Sequence, residues 1–252
     1  MTTAIDLDHT SFGVENAVSW AGMLRREIGA VPVAGEALGD FRYLLLYVGT
    51  ARSGARLELL EPTGDGFLRR FLDKHGVGPH HLTFTVPDLR AAVAEARALG
   101  ATVVGEDYSH PSWREAFVVP DQTHGVVIQL AETDIAYPSP AELTATAGRH
   151  SWSFPSTYDA AEPSWWEATW DVARGPAATL GATRLASTDL GHTRSLFGGL
   201  LGADVTERGD ALVLRWPSGT VVAHRADRPG VVGMDLEGGP TGGLRIGPAL
   251  LA

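Results

Sequence analysis

The chain has 252 residues, of which 44% are hydrophobic and 20% charged, and its formal net charge is −10. This balance argues against a nucleic-acid partner or an anionic membrane surface, and the absence of cysteine excludes disulfides and thiolate metal sites. The sequence shows neither a signal peptide nor an apolar run of about 18 residues, so a cytoplasmic protein without membrane segments is expected.

The first predicted unit starts at residue 8. DHTSFGVENAVSWAGMLRREIGA (8–30) contains a short alternating strand, a polar stop, an amphipathic helix and a closing Gly-Ala. ARLELLEP (55–62) is a later alternating strand of the same unit. Because strand residues alternate between faces, His9 and Ser11 share the face opposite Phe12, and Glu58 lies opposite Leu57.

A second copy of this plan follows. HHLTFTVPDLRAAVAEARALGA (80–101) repeats the strand, stop, helix and Gly-Ala, with Asp88 as the expected helix N-cap. GVVIQLAE (125–132) corresponds to ARLELLEP, and the spacing from His9 to His81 is 72 residues. Alternation predicts that His80 and His81 point to opposite faces, with His80 on the apolar wall.

The remaining chain divides into two predicted parts. Residues 133–180 are rich in Pro and Trp and are interpreted as a connector that packs on the main domain. Residues 181–252 contain another strand, helix, Gly-Ala and hairpin, which predict a degenerate third module. The fold is therefore expected to be α+β, with tandem βαβββ modules in 1–132 that form one cupped mixed sheet. An exposed face or edge of the third module could also support a homodimer.

Four strands each place one possible metal ligand on the face that turns away from the helices: His9, Glu58, His81 and Gln129. Two imidazoles, a carboxylate and an amide oxygen suit a divalent ion such as Zn, Ni, Co, Mn or Fe. Such a site leaves positions open for water or substrate. An ion there would stabilise negative charge on a carbonyl oxygen and make a neighbouring proton easier to remove.

The segments LELLEP (57–62), FLRRFLDKHGVGPHHLTFTV (67–86) and FVVPDQTHGVVIQLAE (117–132) resemble the vicinal oxygen chelate superfamily. Its members include glyoxalase I, methylmalonyl-CoA epimerase, bleomycin-resistance proteins and extradiol dioxygenases, and the epimerase branch is the most similar. The resemblance implies a cupped sheet around one metal, with the four ligands named above. This chain has Gln129 where the epimerases usually have Glu, and Leu38 where they have a catalytic Glu.

The first functional hypothesis is a metal-dependent lyase or isomerase of the glyoxalase/epimerase type, which acts on a small oxygen-chelating carbonyl compound. Glu36, Asp40 and Glu115 are the candidates for moving the proton. The alternative is a non-catalytic protein that binds an antibiotic-like small molecule, as bleomycin-resistance proteins do. A third hypothesis is an Fe(II) extradiol-type dioxygenase, because two His and one carboxylate match the ligand set of such enzymes.

Overall fold

The computed structural model describes residues 4–49, 56–146 and 163–252. The first module consists of β1 (Asp6–Gly13), α1 (Ala17–Ile28), β2 (Val31–Leu38), β3 (Phe41–Tyr47) and β4 (Arg56–Pro62). Helix α2 (Phe67–His75) leads to the second module, which consists of β5 (Gly78–Thr85), α3 (Leu89–Ala98), β6 (Val103–Asp107), β7 (Trp113–Val118) and β8 (Val127–Thr133). Both modules therefore have the βαβββ order.

The same capping interaction starts the helix of each module. The side chain of Asn16 accepts a hydrogen bond from the Ser19 amide (2.8 Å), and that of Asp88 accepts one from the Ala91 amide (3.0 Å). Asp189 caps the corresponding helix of the third module. Each cap satisfies an amide that has no partner within its helix, which fixes where the helix begins. The prediction for Asp88 is confirmed.

The two modules form one eight-stranded sheet in the order β2-β3-β4-β1-β5-β8-β7-β6. Strands β1 and β5 pair antiparallel at its centre, whereas each pairs parallel with the last strand of its own module, β4 or β8. The four strands that carry the candidate ligands are therefore the four adjacent central strands. The predicted α+β fold with tandem βαβββ modules and a cupped mixed sheet is confirmed.

The connector contains α4 (Pro140–Thr146) and short 3₁₀ turns at Pro163–Trp165 and Glu167–Asp171, and its residues 147–162 lie outside the described part. The third module follows, with β9 (Thr179–Ser187), α5 (Leu190–Arg194), which continues as a π-helical segment (Ser195–Leu200), β10 (Asp204–Arg208), β11 (Ala211–Arg215) and β12 (Thr220–Arg225). Strands β13 (Gly230–Glu237), β14 (Leu244–Ile246) and β15 (Ala249–Leu251) form part of a fourth module.

The second sheet has the order β10-β11-β12-β9-β13-β15-β14, so it repeats the central pairing of the first. The helix-bearing faces of the two sheets pack against each other and share their cores. Phe84 of β5 contacts the rings of Phe197 and Trp216 at centroid distances of 6.1 and 4.9 Å. The third module therefore supports the back of the first sheet and leaves its concave face open.

None of the helices in the described residues has both the length and the apolar composition needed to cross a membrane.

Candidate metal centre

Three candidate ligands converge on the concave face of the first sheet. Nε2 of His9 lies 3.5 Å from Oε2 of Glu58, and Nε2 of His81 lies 3.6 Å from the same oxygen. One ligand atom from each of the three side chains lies within 4.8 Å of the others, and all three residues are buried. Because β1 lies between β4 and β5, the two histidines and the carboxylate come from three neighbouring strands.

Gln129 of β8 points its amide oxygen into this cluster. Its Oε1 lies 3.1 Å from Nε2 of His81 and accepts a 2.7 Å hydrogen bond from Oγ1 of Thr83. Its Nε2 donates a 2.6 Å hydrogen bond to Oε2 of Glu115 on β7. The donor contact to Glu115 fixes which end of the amide faces the histidines, so an oxygen is presented to the cluster.

Two hydroxyl groups form the floor of the cluster. Oγ of Ser11 donates to Oε2 of Glu58 (2.6 Å) and lies 2.9 Å from Nε2 of His81. Oγ1 of Thr83 lies 2.9 Å from Nε2 of His9. Both hydroxyls belong to the polar face predicted from the alternation of β1 and β5, and they satisfy the polar atoms of the ligand set.

The two histidines differ in charge although both lie beside Glu58. Burial disfavours a charged His9, but Glu58 and Asp8 outweigh it and raise the pKa of His9 to about 9. Burial, together with the neighbouring His80, lowers the pKa of His81 to about 3. Burial also opposes ionisation of Glu58, yet the charge of His9 and the hydrogen bonds from His9 and Ser11 lower the pKa of Glu58 to about 2. The metal-free cluster therefore contains one carboxylate, one imidazolium and one neutral imidazole.

The prediction that His80 faces away from His81 is wrong. Ser11 pairs with His81 and Phe12 pairs with Pro79, so His80 is an extra residue in β5 without a partner on β1. Such a β-bulge interrupts the alternation of side chains. Nδ1 of His80 consequently lies 2.8 Å from Nδ1 of His81, and both rings line the same cavity.

The cavity above the cluster has a volume of about 520 Å³. Its lining combines the candidate ligands with six aromatic residues, Phe41, Tyr43, Phe67, Trp113, Phe117 and Tyr137. Leu45, Leu60, Val104 and Val127 complete the apolar wall. Among the described residues, none of those lining the cavity is a lysine or an arginine. The cavity therefore suits an uncharged or weakly acidic compound with a flat, apolar part.

Residues 9–117 match the family model described as Glyoxalase/Bleomycin resistance protein/Dioxygenase superfamily. The matched segment runs from β1 to β7 of the first sheet. No curated protein matches the sequence.

Among solved structures, the chain is similar to a triple mutant of 4-hydroxymandelate synthase from Streptomyces coelicolor, with 17% identity, a TM-score of 0.58 and coverage of 92% of this chain and 70% of that one. A hypothetical protein from Staphylococcus aureus matches with 12% identity, a TM-score of 0.58 and coverage of 98% of each chain. Methylmalonyl-CoA epimerase from Mycobacterium tuberculosis matches with 27% identity and a TM-score of 0.46 over 53% of this chain and 92% of that one. The first two matches show that the two-sheet fold recurs.

The donor set fits the divalent ion that is typical of the superfamily. Ligand atoms at about 2.1 Å from an ion lie about 3.0 to 3.4 Å from each other in octahedral or tetrahedral geometry. The separations of 3.5 and 3.6 Å between Glu58 and the two imidazoles are close to these values. Gln129 offers an oriented oxygen as a fourth ligand.

The second sheet lacks a ligand set at the corresponding place. Arg184 of β9 occupies the position of Ser11. It pairs with Val222 of β12 and Gly233 of β13, as Ser11 pairs with Glu58 and His81 in the first sheet. The counterparts of His9, Glu58, His81 and Gln129 are Ala182, Val222, Gly233 and Ala252. Small and apolar side chains cannot hold an ion, so the candidate ligand set is confined to the first of the two sheets in the described residues.

The three candidate acid–base residues lie in different surroundings. Glu115 lines the cavity, where its Oε2 accepts hydrogen bonds from Gln129 and from Nε1 of Trp113 (2.9 Å). Glu36 is buried beside Tyr43, its partner across β2 and β3, and accepts a 2.8 Å hydrogen bond from the hydroxyl of Tyr43. Asp40 lies in the turn between β2 and β3, outside the cavity. Only Glu115 of the three faces the space above the ligands.

The sequence analysis missed Asp8 and Tyr137 as residues of this site. Oδ1 of Asp8 lies 2.5 Å from Nδ1 of His9, and Asp8 is also paired with Arg56. Tyr137 follows β8 in the connector and closes one side of the cavity. The repeat does contain a signal for Asp8, because a polar residue directly precedes the ligand histidine in both copies: Asp8 before His9 and His80 before His81. No repeat or alternation marks Tyr137.

Proposed function

We propose that this protein is a divalent-metal-dependent lyase or isomerase that acts on a small carbonyl compound with two neighbouring oxygen atoms. The observation that carries the proposal is the convergence of two imidazoles and one carboxylate, with Gln129 completing the set, at the bottom of a cavity of about 520 Å³. His9, Glu58, His81 and Gln129 would hold the ion. The bound ion would supply Lewis-acid stabilisation of negative charge on a substrate oxygen.

Glu115 is assigned the proton transfer. Its carboxylate faces the cavity and is one hydrogen bond away from Gln129, so a substrate bound above the ligands would place its acidic carbon near Oε1 or Oε2 of Glu115. The hydrogen bonds from Trp113 and Gln129 hold the carboxylate in this orientation. A positioned carboxylate of this kind typically contributes a factor of about 10² to 10⁴ to the rate of proton transfer.

The lining restricts the substrate. Six aromatic rings and no lysine or arginine line the cavity in the described part of the chain, so a highly charged substrate would lack counter-ions. A compound with a planar or apolar body and a single chelating end fits this environment. We therefore propose hydroxycarbonyl and dicarbonyl compounds of this kind as the substrate class.

The test is proton exchange in D₂O. The protein loaded with Zn, Ni, Co, Mn or Fe would be incubated with a panel of hydroxycarbonyl and dicarbonyl compounds, and loss of the α-proton would be followed by NMR. The proposal expects exchange that requires the ion and is absent from the metal-free protein. A protein that binds compounds of the panel equally well with and without ion, and exchanges none of them, would support the non-catalytic binding alternative instead.

A second candidate function is an extradiol-type dioxygenase that acts on an aromatic diol. Two imidazoles and one carboxylate are the ligand set of Fe(II) oxygenases, and the aromatic wall suits a planar ring. Oxygen uptake by the Fe(II)-loaded protein with catechol tests this function. Ring cleavage without α-proton exchange would favour the dioxygenase over the lyase or isomerase.

A further inference from the structure

We propose that His80 is a positioning residue, which orients His81 for metal binding as Asp8 orients His9. The proposal rests on the proposed function, because it concerns the ligand atoms that would face the ion. It adds to the ligand set a matched pair of residues, each of which directly precedes a ligand histidine. The argument depends on where β1 and β5 depart from regular pairing.

Both residues lie in β-bulges. In the ladder between β1 and β5, Leu7 pairs with Phe84 and His9 pairs with Thr83, so Asp8 has no partner across the ladder. At the other end of the same ladder, His80 is unpaired for the same reason. Each bulge thus adds one residue immediately before a ligand histidine and turns its side chain back towards that histidine.

The contacts made by the two bulge residues are equivalent. Oδ1 of Asp8 lies 2.5 Å from Nδ1 of His9, and Nδ1 of His80 lies 2.8 Å from Nδ1 of His81. In both cases the remaining ring nitrogen, Nε2, points at Glu58. A partner at one ring nitrogen fixes the ring orientation and selects the tautomer in which the other nitrogen can bind a metal.

His80 can do this only as a hydrogen-bond acceptor. For Nε2 of His81 to offer a lone pair, the proton of the neutral ring must be on Nδ1, and Nδ1 of His80 is placed to accept it. The proton of His80 is then on its own Nε2. Neither ring changes its charge in this arrangement, so it requires no uptake or release of a proton by the pair.

Unlike a carboxylate, a neutral imidazole can also donate a hydrogen bond. Oε1 of Gln129 carries no proton and lies 3.1 Å from Nε2 of His81, so in the metal-free protein this contact requires a proton on Nε2. Nδ1 of His81 then accepts from Nδ1 of His80. His80 can therefore satisfy His81 in both states by exchanging tautomers, whereas Asp8 can only accept.

The test compares Zn²⁺ affinity, measured by chelator competition, in variants of residue 80. We expect His80→Ala and His80→Leu to bind Zn²⁺ about 10- to 100-fold more weakly than wild type, since this is the usual loss when a partner of a ligand histidine is removed. His80→Asn restores an acceptor near the position of Nδ1 and should stay within about threefold of wild type. His192→Ala, at an exposed histidine on α5 of the third module, is the matched control and should be unchanged.

A purely structural His80 would give a different pattern. Wild-type affinity in His80→Leu, or equal loss in His80→Asn and His80→Leu, would overturn the proposal. Long-range ¹H–¹⁵N spectra of the metal-free protein separate this failure from failure of the proposed function. They report the state of each ring nitrogen of His81 directly. In the wild-type protein we expect Nε2 to carry the proton and Nδ1 to accept a hydrogen bond, and we expect His80→Leu to move the Nδ1 resonance to that of a nitrogen without a hydrogen bond. An unchanged Nδ1 resonance in His80→Leu would overturn the positioning role even if the wild-type protein bound no ion.

Discussion

Nε2 of Gln129 donates a 2.6 Å hydrogen bond to Oε2 of Glu115, and this contact joins the proposed metal ligands to the proposed base. A single amide thus presents its oxygen to the histidines and its nitrogen to the carboxylate. Gln129 takes part in both groups, whereas Glu115 belongs only to the proposed proton transfer. Substitutions at Glu115 can therefore separate metal binding from proton transfer.

Glu115→Gln should lose proton transfer and keep the ion. The new amide oxygen can still accept from Gln129, so the affinity for Zn²⁺ should stay within about threefold of wild type, whereas the α-proton exchange rate should fall by about 10² to 10⁴. NMR exchange rates and chelator competition measure the two quantities. Asp40→Asn, outside the cavity, is the control and should exchange at the wild-type rate. Wild-type exchange in Glu115→Gln would exclude Glu115 as the base.

Much of this arrangement could be predicted from the sequence because the two copies are in register. A shift of 72 residues relates His9 to His81, Ser11 to Thr83 and the N-cap Asn16 to Asp88. The alternation of apolar and polar residues then identified the cup face of each strand. These two patterns were sufficient to predict the tandem βαβββ modules and to place four possible ligand residues on one face of the sheet.

The bulges could not be predicted from alternation, because alternation assumes that every residue has a partner across the ladder. Asp8 and His80 each break that rule, and His80 was therefore predicted on the wrong face. The choice among the acid–base candidates also lay beyond the sequence. It depends on how the turn at Asp40 and the strand β7 that carries Glu115 curve around the cavity, which no local pattern encodes.

The metal-free protein should be most stable near pH 6.5. The raised pKa of His9, about 9, gives a stabilisation that is complete below 6.5 and is lost as the pH rises to 9. The lowered pKa values of His80 and His81, about 4 and 3, mean that the unfolded state binds up to two more protons below pH 6.5. Each proton changes the free energy of unfolding by about 1.4 kcal/mol per pH unit.

Urea unfolding at pH 5, 6.5 and 8.5 would measure this profile. His9→Asn should remove the loss of stability between pH 6.5 and 8.5. The loss of stability below pH 6.5 should remain, because His80 and His81 still take up protons when this variant unfolds. A wild-type stability that rises steadily from pH 6.5 to 8.5 would contradict the charge assignment of His9.

Metal binding should have the opposite pH dependence on the alkaline side. Nε2 of His9 must lose its proton before it can coordinate, so the affinity for Zn²⁺ should increase about tenfold per pH unit between pH 6.5 and 8.5. Calorimetry in buffers of different ionisation enthalpy would measure the release of about one proton per ion bound. A pH-independent affinity over this range would show that His9 is already neutral in the metal-free protein.

The third module should contribute strongly to the stability of the cup. Phe197 is fully buried and its ring contacts Phe84, which lies on the core-facing side of the ligand strand β5. Phe197→Ala should therefore lower the free energy of unfolding by about 3 to 5 kcal/mol, the usual cost of removing a buried aromatic side chain. Val232→Ala is the control, because Val232 is 43% exposed and should cost little. Equal urea midpoints for both variants would contradict a strong contribution of Phe197 to the stability of the cup.

The most direct measurement is the metal content of purified protein after loading and removal of free ion, with wild type beside the double variant His9→Ala/His81→Ala. Elemental analysis should find about one divalent ion per chain in wild type and less than about a tenth of that in the double variant, whose fold is checked by circular dichroism. Full occupancy in a correctly folded double variant would show that the ion lies elsewhere and would contradict the assignment of this cluster as the metal centre.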